Sequence, residues 1–247
     1  MNRSEAFSPF DVTEVEIHLS WPDLEICTGG TEEIQVLVSG DDISAEDLKI
    51  CLDSGKLKIN QPSRGINYHL TQPGWLRVTL LLPSGWKGSV EGTTVSGELS
   101  ARDLSGADLS LESASGDIHA MNLSAIQLKL VSVSGDISVD QADSDTFTVR
   151  TVSGNVRIRN AGAETWRLTA VSGDIDIGMV TGFGKLNATS VSGTVRVAVP
   201  SDRVDAYIRS VSGRIRTNNI SISEGAPDMK LSTVSGDLEI TGSLSRA

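Results

Sequence analysis

The pair Ser-Gly returns along this chain at an almost fixed interval. Its glycines are Gly97, Gly116, Gly135, Gly154, Gly173, Gly193, Gly213 and Gly236, at successive intervals of 19, 19, 19, 19, 20, 20 and 23 residues. A repeat of this length is typical of a solenoid, in which each coil buries its apolar side chains only against neighbouring coils. The repeat therefore restricts the chain to a stacked architecture.

Alignment of the repeats on their glycines shows two short segments of alternating apolar residues. Apolar residues recur seven, five and two positions before the glycine, and two and four positions after it. The column two positions before the glycine contains Val95, Ala114, Val133, Val152, Val171, Val191, Val211 and Val234. The pattern indicates two strands per coil with the apolar residues facing inward, and glycine suits a corner that needs backbone freedom. We predict an all-β fold, a single-stranded parallel right-handed β-helix of 19–20 residues per coil.

The regular repeats cover only part of the chain. We predict a tail at residues 1–10, irregular β-rich coils that cap the rod at 11–92, regular solenoid repeats at 93–242 and a second tail at 243–247. Within the irregular part, Leu48-x-Ile50 followed by Ser54-Gly55-x-Leu57-x-Ile59 matches the coil pattern, so we interpret it as a degenerate coil. An atypical end coil keeps a solenoid soluble.

Charge and composition argue against several classes of partner. The chain has 32 acidic and 21 basic side chains, a net charge of −11, so nucleic acid and anionic lipid are poor partners. No apolar run approaches the roughly 20 residues of a membrane span, and the N-terminus lacks the apolar segment of a secretory signal. We therefore expect a cytoplasmic protein without direct membrane insertion. Cys27 and Cys51 are expected to be free thiols, although their spacing leaves a disulfide open.

One run of residues resembles a known family. The repeated Val-Ser-Gly-Asp-Ile, with Asp23-Leu-Glu-Ile26, Leu57-Lys-Ile59 and Val78-Thr-Leu-Leu-Leu-Pro83 before it, is similar to the bacterial "putative adhesin" family of β-strand-repeat proteins. The resemblance spans about residues 11–242. It implies a β-helical fold without known catalysis, often associated with the cell envelope or its stress signalling. The family motif carries no catalytic residues, so the resemblance implies none here.

The residue after each glycine forms a mostly acidic column. Its members are Glu98, Asp117, Asp136, Asn155, Asp174, Thr194, Arg214 and Asp237. Stacked carboxylates could bind Ca²⁺ through their oxygens. However, Asn155, Thr194 and Arg214 interrupt the column, and Asp and Asn are favoured at turns for local reasons. We therefore predict no metal site and no cofactor.

An unbroken column of serines precedes the glycines. It contains Ser96, Ser115, Ser134, Ser153, Ser172, Ser192, Ser212 and Ser235. A nucleophilic serine needs an aligned base, and His18, His69 and His119 are not spaced as a triad would suggest. We expect the stacked hydroxyl groups to bond to each other or to the backbone.

Two aspartates offer a second catalytic possibility. Asp174 and Asp176 lie two positions apart on one strand, and carboxylate pairs can cleave polysaccharides by acid–base catalysis. A glycan-binding platform would also need exposed aromatic rings, and only Phe183 and Tyr207 remain as candidates within the coils. We therefore interpret the pair as solvated surface.

The sequence thus predicts a non-catalytic scaffold or partner-binding module that binds a protein or a second copy of itself. After Ile240 only seven residues remain, so we expect the C-terminal coil to present an open edge for end-to-end assembly. Two alternatives stay open. One is an envelope adhesin that reaches the surface by another route, and the other is a polysaccharide-active enzyme.

Overall fold

A computed structural model describes residues 2–41, 47–61, 75–178 and 180–242, and within them it contains strands but no helix. The prediction of an all-β fold is therefore confirmed. In chain order the strands are β1 (Asn2–Phe7), β2 (Glu14–Leu19), β3 (Asp23–Gly29), β4 (Ile34–Gly40), β5 (Lys49–Asp53), β6 (Lys56–Asn60), β7 (Leu76–Pro83), β8 (Ser89–Thr94), β9 (Leu99–Arg102), β10 (Ser105–Ser113), β11 (Ile118–Met121), β12 (Leu123–Ser132), β13 (Ile137–Ser153), β14 (Val156–Ser172), β15 (Ile175–Ile177), β16 (Val180–Gly182), β17 (Lys185–Ser192), β18 (Val195–Val199), β19 (Arg203–Ser212), β20 (Ile215–Asn218), β21 (Ser221–Ile222), β22 (Asp228–Ser235) and β23 (Leu238–Gly242).

Parallel pairing between neighbouring repeats holds the middle of the chain together. Before the corner, each strand pairs with the next in the order β8, β10, β12, the end of β13, the end of β14 and β17. After the corner, the order of pairing is β9, β11, the start of β13, the start of β14, β15 and β18. Partners such as Leu128 and Phe147 occupy equivalent positions of successive repeats. Each repeat is therefore one layer of the stack.

The core is a thin aliphatic column inside the coils. Side chains at positions seven and five before the glycine, and two and four after it, are buried throughout the middle of the stack. Phe147 and Trp166 occupy one such inward column, with ring centroids 5.2 Å apart, and the indole N–H of Trp166 donates to the carbonyl oxygen of Ala163. These columns face inward as the alternation predicts.

The N-terminal coil is inserted between later parts of the chain. β2 pairs with β6 on one side and β8 on the other, and β3 pairs with β7 and β9. Residues 14–29, the inserted N-terminal coil, therefore lie between the strands β6 and β7 on one side and the coil that begins at β8 on the other. Beyond β6 and β7, the antiparallel strands β5, β4 and β1 close this end of the stack.

The C-terminal coil is inserted in the same way. β17 pairs with β22 rather than β19, and β22 then pairs with β19. On the other face, β18 pairs with β23 and β23 with β20. Residues 228–242, the inserted C-terminal coil, thus lie between the coil of β17 and β18 and residues 203–222. Residues 203–222 form the last layer of the described stack, and we call them the terminal coil.

Two expectations for the N-terminal region are wrong in detail. Ser54 and Gly55 do not form a coil corner but the two-residue turn of the antiparallel hairpin β5–β6, with φ of 51° and 83°. Left-handed conformations at both central positions define a hairpin turn whose twist matches the flanking strands. Residues 2–7, expected to be part of a tail, form β1 and pair with β4.

Candidate interaction surfaces

Each Ser-Gly corner is built around a close approach between coils. A Cβ added to Gly135 would overlap the carbonyl oxygen of Gly116, and the same overlap with the neighbouring corner glycine occurs at Gly154 and Gly173. The corner glycines lack the positive φ seen at Gly55. Glycine is therefore needed here for space, not for the backbone freedom that we expected.

Small hydroxyl side chains face inward three positions before the glycine. Thr94, Ser113 and Ser132 are buried, and each accepts a hydrogen bond from the backbone N–H of its corner glycine, at 3.1, 2.8 and 2.8 Å. These bonds satisfy a buried donor at a point where the strand ladder is interrupted. The serines directly before the glycines are exposed instead. Among the described residues, only Ser96 of that column makes a side-chain hydrogen bond, which it donates to the backbone carbonyl oxygen of Ser20. The expected bonding to the backbone is therefore seen at this one serine, and the serines of the column do not bond to each other there.

The valines two positions before the glycine point outward, which corrects their predicted inward assignment. The residues seven and five positions before the glycine face inward. Strict alternation therefore places the hydroxyl residue three positions before the glycine inside and the valine that follows it outside. The exposed fractions of these valines are 41–68%. We call the column the valine ridge; in spatial order its members are Val95, Ala114, Val133, Val152, Val171, Val191, Val234 and Val211. Seven inter-coil steps of about 4.8 Å give it a length of about 34 Å.

The acidic column after the glycines is a hydrogen-bond ladder. Asp117 Oδ1 accepts the backbone N–H of Asp136 at 2.8 Å, and Asp136 Oδ1 accepts that of Asn155 at 2.8 Å. Asn155 and Asp174 continue the series to the next coils. These side chains thus complete the backbone hydrogen bonds between corners. Within the described residues, no group of three or more His, Cys, Asp or Glu side chains could hold a metal ion.

The other predicted site residues are not brought together. Asp174 accepts the Thr194 N–H and lies 3.6 Å from Arg196, so it serves the corner ladder. His18 pairs with Glu16 at 2.6 Å and His119 with Glu98 at 3.4 Å, in different coils. His69 lies outside the described residues.

Both cysteines are free thiols. Burial is the main reason why the pKa of the Cys27 thiol is raised, and the neighbouring Glu25 carboxylate adds to that effect. Cys51 lies exposed on β5. A raised pKa disfavours the thiolate, the reactive form of cysteine, so Cys27 is poorly suited to act as a nucleophile.

A shallow groove of about 290 Å³ crosses the strands after the corner. Its charged lining includes Arg102, His119, Asp140, Arg157 and Arg159. Arg159 pairs with Asp140 at 2.9 Å, and Arg102 pairs with a carboxylate of β3. Much of the positive charge in the groove is therefore already compensated. Sequence reasoning missed this groove because its residues come from four different coils.

A second concavity lies at the N-terminal end. It has a volume of about 670 Å³ and is lined by Phe10, Val12, Trp86 and Lys87, among others. Trp86 is buried, and its indole N–H donates to the carbonyl oxygen of Val12 at 2.8 Å, whereas Phe10 is almost fully exposed at the rim. The indole thus ties this wall of the concavity to the chain leading into β2.

The terminal coil exposes residues that are buried in every other layer. Ile215 is 48% exposed, whereas its counterparts Leu238 and Val195 are fully buried. Thr217 of the same coil is exposed as well, whereas its counterpart Ile240 is buried. The open end therefore belongs to residues 203–222, not to the C-terminal coil that we expected. Leu238 and Ile240 of that coil are covered on both sides.

Known proteins share this architecture. Repeated parallel layers joined at corners between two strands define a β-solenoid-like protein. Residues 12–241 match the family Toastrack DUF4097, and the chain belongs to that family. No curated protein matches the sequence. In the described part of the chain, no helix is long and apolar enough to cross a membrane.

Three solved structures are similar to the whole chain. A "putative adhesin" from Parabacteroides distasonis ATCC 8503 has a TM-score of 0.64 at 16% identity and covers 97% of both chains. A "putative adhesin" from Parabacteroides merdae ATCC 43184 has a TM-score of 0.59 at 11% identity, covering 98% of this chain and 96% of its own. A "putative lipid binding protein" from Parabacteroides distasonis ATCC 8503 has a TM-score of 0.59 at 15% identity, covering 99% and 96%. At these identities the likeness concerns the fold.

Proposed function

We propose that this protein is a non-catalytic interaction module that binds a protein partner through the valine ridge. The observation that carries the proposal is the exposure of seven valines in one line, at 41–68% each. Coil stacking does not require them, because the inward columns already form the core. The names of the structural neighbours, adhesins and a lipid-binding protein, are consistent with a module that binds rather than catalyses.

The chemistry of the ridge favours a protein over a charged polymer. Its valines present a continuous apolar stripe, and the adjoining exposed serines offer hydroxyl groups along the same line. Large contiguous apolar patches on soluble proteins are often functional. An apolar centre flanked by polar groups is the usual anatomy of a protein interface. The overall charge of −11 argues against nucleic acid for the same surface.

We extend the proposal to the winding of the coils and to the location of the protein. We take the regular repeats at 93–242 to wind as parallel right-handed coils, the last two of which are exchanged in spatial order, with residues 11–92 as the cap. Parallel pairing of successive repeats supports that winding. The cytoplasmic location and a link to envelope processes belong to the same proposal. An envelope adhesin is the second candidate, because two structural neighbours are named "putative adhesin".

The test compares two sets of substitutions on the full chain. The triple variant carries Val133→Thr, Val152→Thr and Val171→Thr. These changes keep the branched shape that is favoured in strands but make the ridge polar. The control is Ile126→Thr, an exposed apolar residue outside the ridge. Both proteins should melt within a few degrees of the parent, since exposed substitutions usually change stability by less than about 0.5 kcal/mol. We expect affinity capture from bacterial extract to lose its specific partner, by about tenfold or more, only for the triple variant. Equal capture by all three proteins would refute the proposal.

A further inference from the structure

Within the described residues, the terminal coil ends the stack with a strand edge that is mostly unpaired. β19 and β20 pair with β22 and β23 on one side. On the other side, within the described residues, only Arg203 and Val204 pair with a strand, β21. Elsewhere the N–H two positions after the glycine donates to the next layer, as Ile118 does to Asp136 and Leu238 to Arg214. The N–H of Ile215 has no such acceptor in the described chain. An edge of this kind is a template for an added strand.

The side chains beside this edge continue the inward columns of the stack. Ile215 and Thr217 occupy the positions held in the neighbouring layer by Leu238 and Ile240. Both are exposed in the terminal coil, while their neighbours are buried. A further layer with apolar residues at these positions would cover them as the stack covers every other layer.

The outward side chains of the terminal coil are unusually basic. Arg209, Arg214 and Arg216 stand in three outward columns. Arg214 pairs with Asp237 at 3.3 Å, whereas neither Arg209 nor Arg216 forms a salt bridge among the described residues. The edge therefore combines exposed apolar residues with arginine side chains that are able to bind carboxylates of a partner.

The layer already paired with the terminal coil shows which chemistry complements it. Its segment Asp237-Leu-Glu-Ile240 places apolar residues inward and carboxylates opposite arginines. Asp237 Oδ1 also accepts the N–H of Arg214 at 2.9 Å. The same tetrapeptide, Asp23-Leu-Glu-Ile26, forms the inserted N-terminal coil, where Asp23 lies 3.6 Å from Arg77 and Glu25 pairs with Arg102. In both places an acidic, alternately apolar strand is held between arginine-bearing layers.

From these contacts we infer that the open edge of the terminal coil is a second binding site. It takes an extended segment of a partner protein in which apolar and acidic residues alternate. The segment adds a strand beside β19 and β20, places its apolar side chains over Ile215 and Thr217, and brings its carboxylates to Arg209 and Arg216. This site meets the valine ridge only at Val211, and the ridge test changes no residue of the terminal coil, so either site can fail its test without the other.

The probe is a labelled synthetic peptide with the sequence of residues 228–242, which carries the two-strand pattern and the acidic tetrapeptide. It is titrated against the full chain by fluorescence anisotropy, with hydrogen exchange recorded by NMR on the same samples. A second peptide with Asp237→Asn and Glu239→Gln keeps the shape and removes the two charges. We expect saturable binding of the acidic peptide, slowed exchange of the Ile215 amide, and about tenfold weaker binding of the neutral peptide.

Protein variants locate the site. Arg209→Gln with Arg216→Gln should weaken binding of the acidic peptide by about tenfold, since neither arginine is engaged in a salt bridge with another described residue. Arg157→Gln, which removes an exposed arginine from another coil, should leave the affinity unchanged. Absence of binding, equal affinity for both peptides, or protection of amides outside the terminal coil would overturn the proposal. A dimer of the parent chain that Arg216→Gln dissociates would also overturn it, because the occupant would then be a second copy.

Discussion

At the scale of single residues, the Ser-Gly corners depend on the missing Cβ of glycine and on the inward hydroxyl before it. The corner of Gly135 stacks on the Gly116 carbonyl so closely that no other residue fits without a shift of the backbone. The repeat predicted where these glycines lie but not why. It also misplaced Val133 and its equivalents, because an apolar residue was taken as evidence of burial, whereas many apolar atoms of folded proteins remain exposed. Continuing the period-two pattern to Ser132 would have corrected the assignment.

Gly135→Ala tests the close approach. We expect it to lower the free energy of unfolding by about 2–3 kcal/mol, the upper range for inserting a group into a packed site, as measured by urea denaturation. Gly85→Ala is the matched control, because a Cβ there meets nothing within 4 Å, and it should change stability by less than about 0.5 kcal/mol. Similar values for the two variants would contradict the role given to the corner glycines.

At the scale of elements, the inserted position of the C-terminal coil makes opposite charges alternate along one outward column. The outward column three positions after the glycine reads Arg157, Asp176, Arg196, Glu239 and Arg216 in spatial order. Charges of opposite sign thus alternate, whereas stacking in sequence order would place Arg196 beside Arg216, and like charges directly opposite are unfavourable. The repeat alone could not predict this order, because every coil presents the same inward columns to its neighbours.

The attachment of the terminal coil should depend on pH through Asp237. The Arg214 backbone N–H, followed by the charges of Arg214 and Arg216, lowers the pKa of this carboxyl below its usual 3.8. Because the folded-state pKa is depressed, its stabilising contribution is complete above the unfolded value and is lost as pH falls through the folded one. We expect the parent chain to be more stable than Asp237→Asn at pH 7 in urea denaturation. The difference should shrink as pH falls below about 4. A difference that stays constant down to pH 2 would contradict this role.

At the scale of the whole molecule, the two ends of the stack are different. The N-terminal end is closed by antiparallel strands, and the Arg3 side chain donates to the carbonyl oxygen of Leu48 at 2.8 Å across them. At the opposite end, no other described part of the chain covers the terminal coil, which has arginines at its edge. The repeat predicted the stack and four of its five inward columns, since these follow from alternation. It could not predict which coil comes last, because that depends on long-range pairing between similar strands, and so the open end was assigned to the wrong segment.

The order of the last coils is the central claim, since the terminal edge and its partner chemistry both depend on it. It can be tested by disulfide trapping in a background with Cys27→Ser and Cys51→Ser. Arg196→Cys with Glu239→Cys places two thiols on directly paired strands, about 4.8 Å apart at the Cα atoms, within the range that a disulfide spans. Arg196→Cys with Arg216→Cys places them two layers apart, beyond that range. We expect rapid oxidation to an intramolecular disulfide in the first pair and none in the second, whereas the reverse result would show that the last coils stack in sequence order.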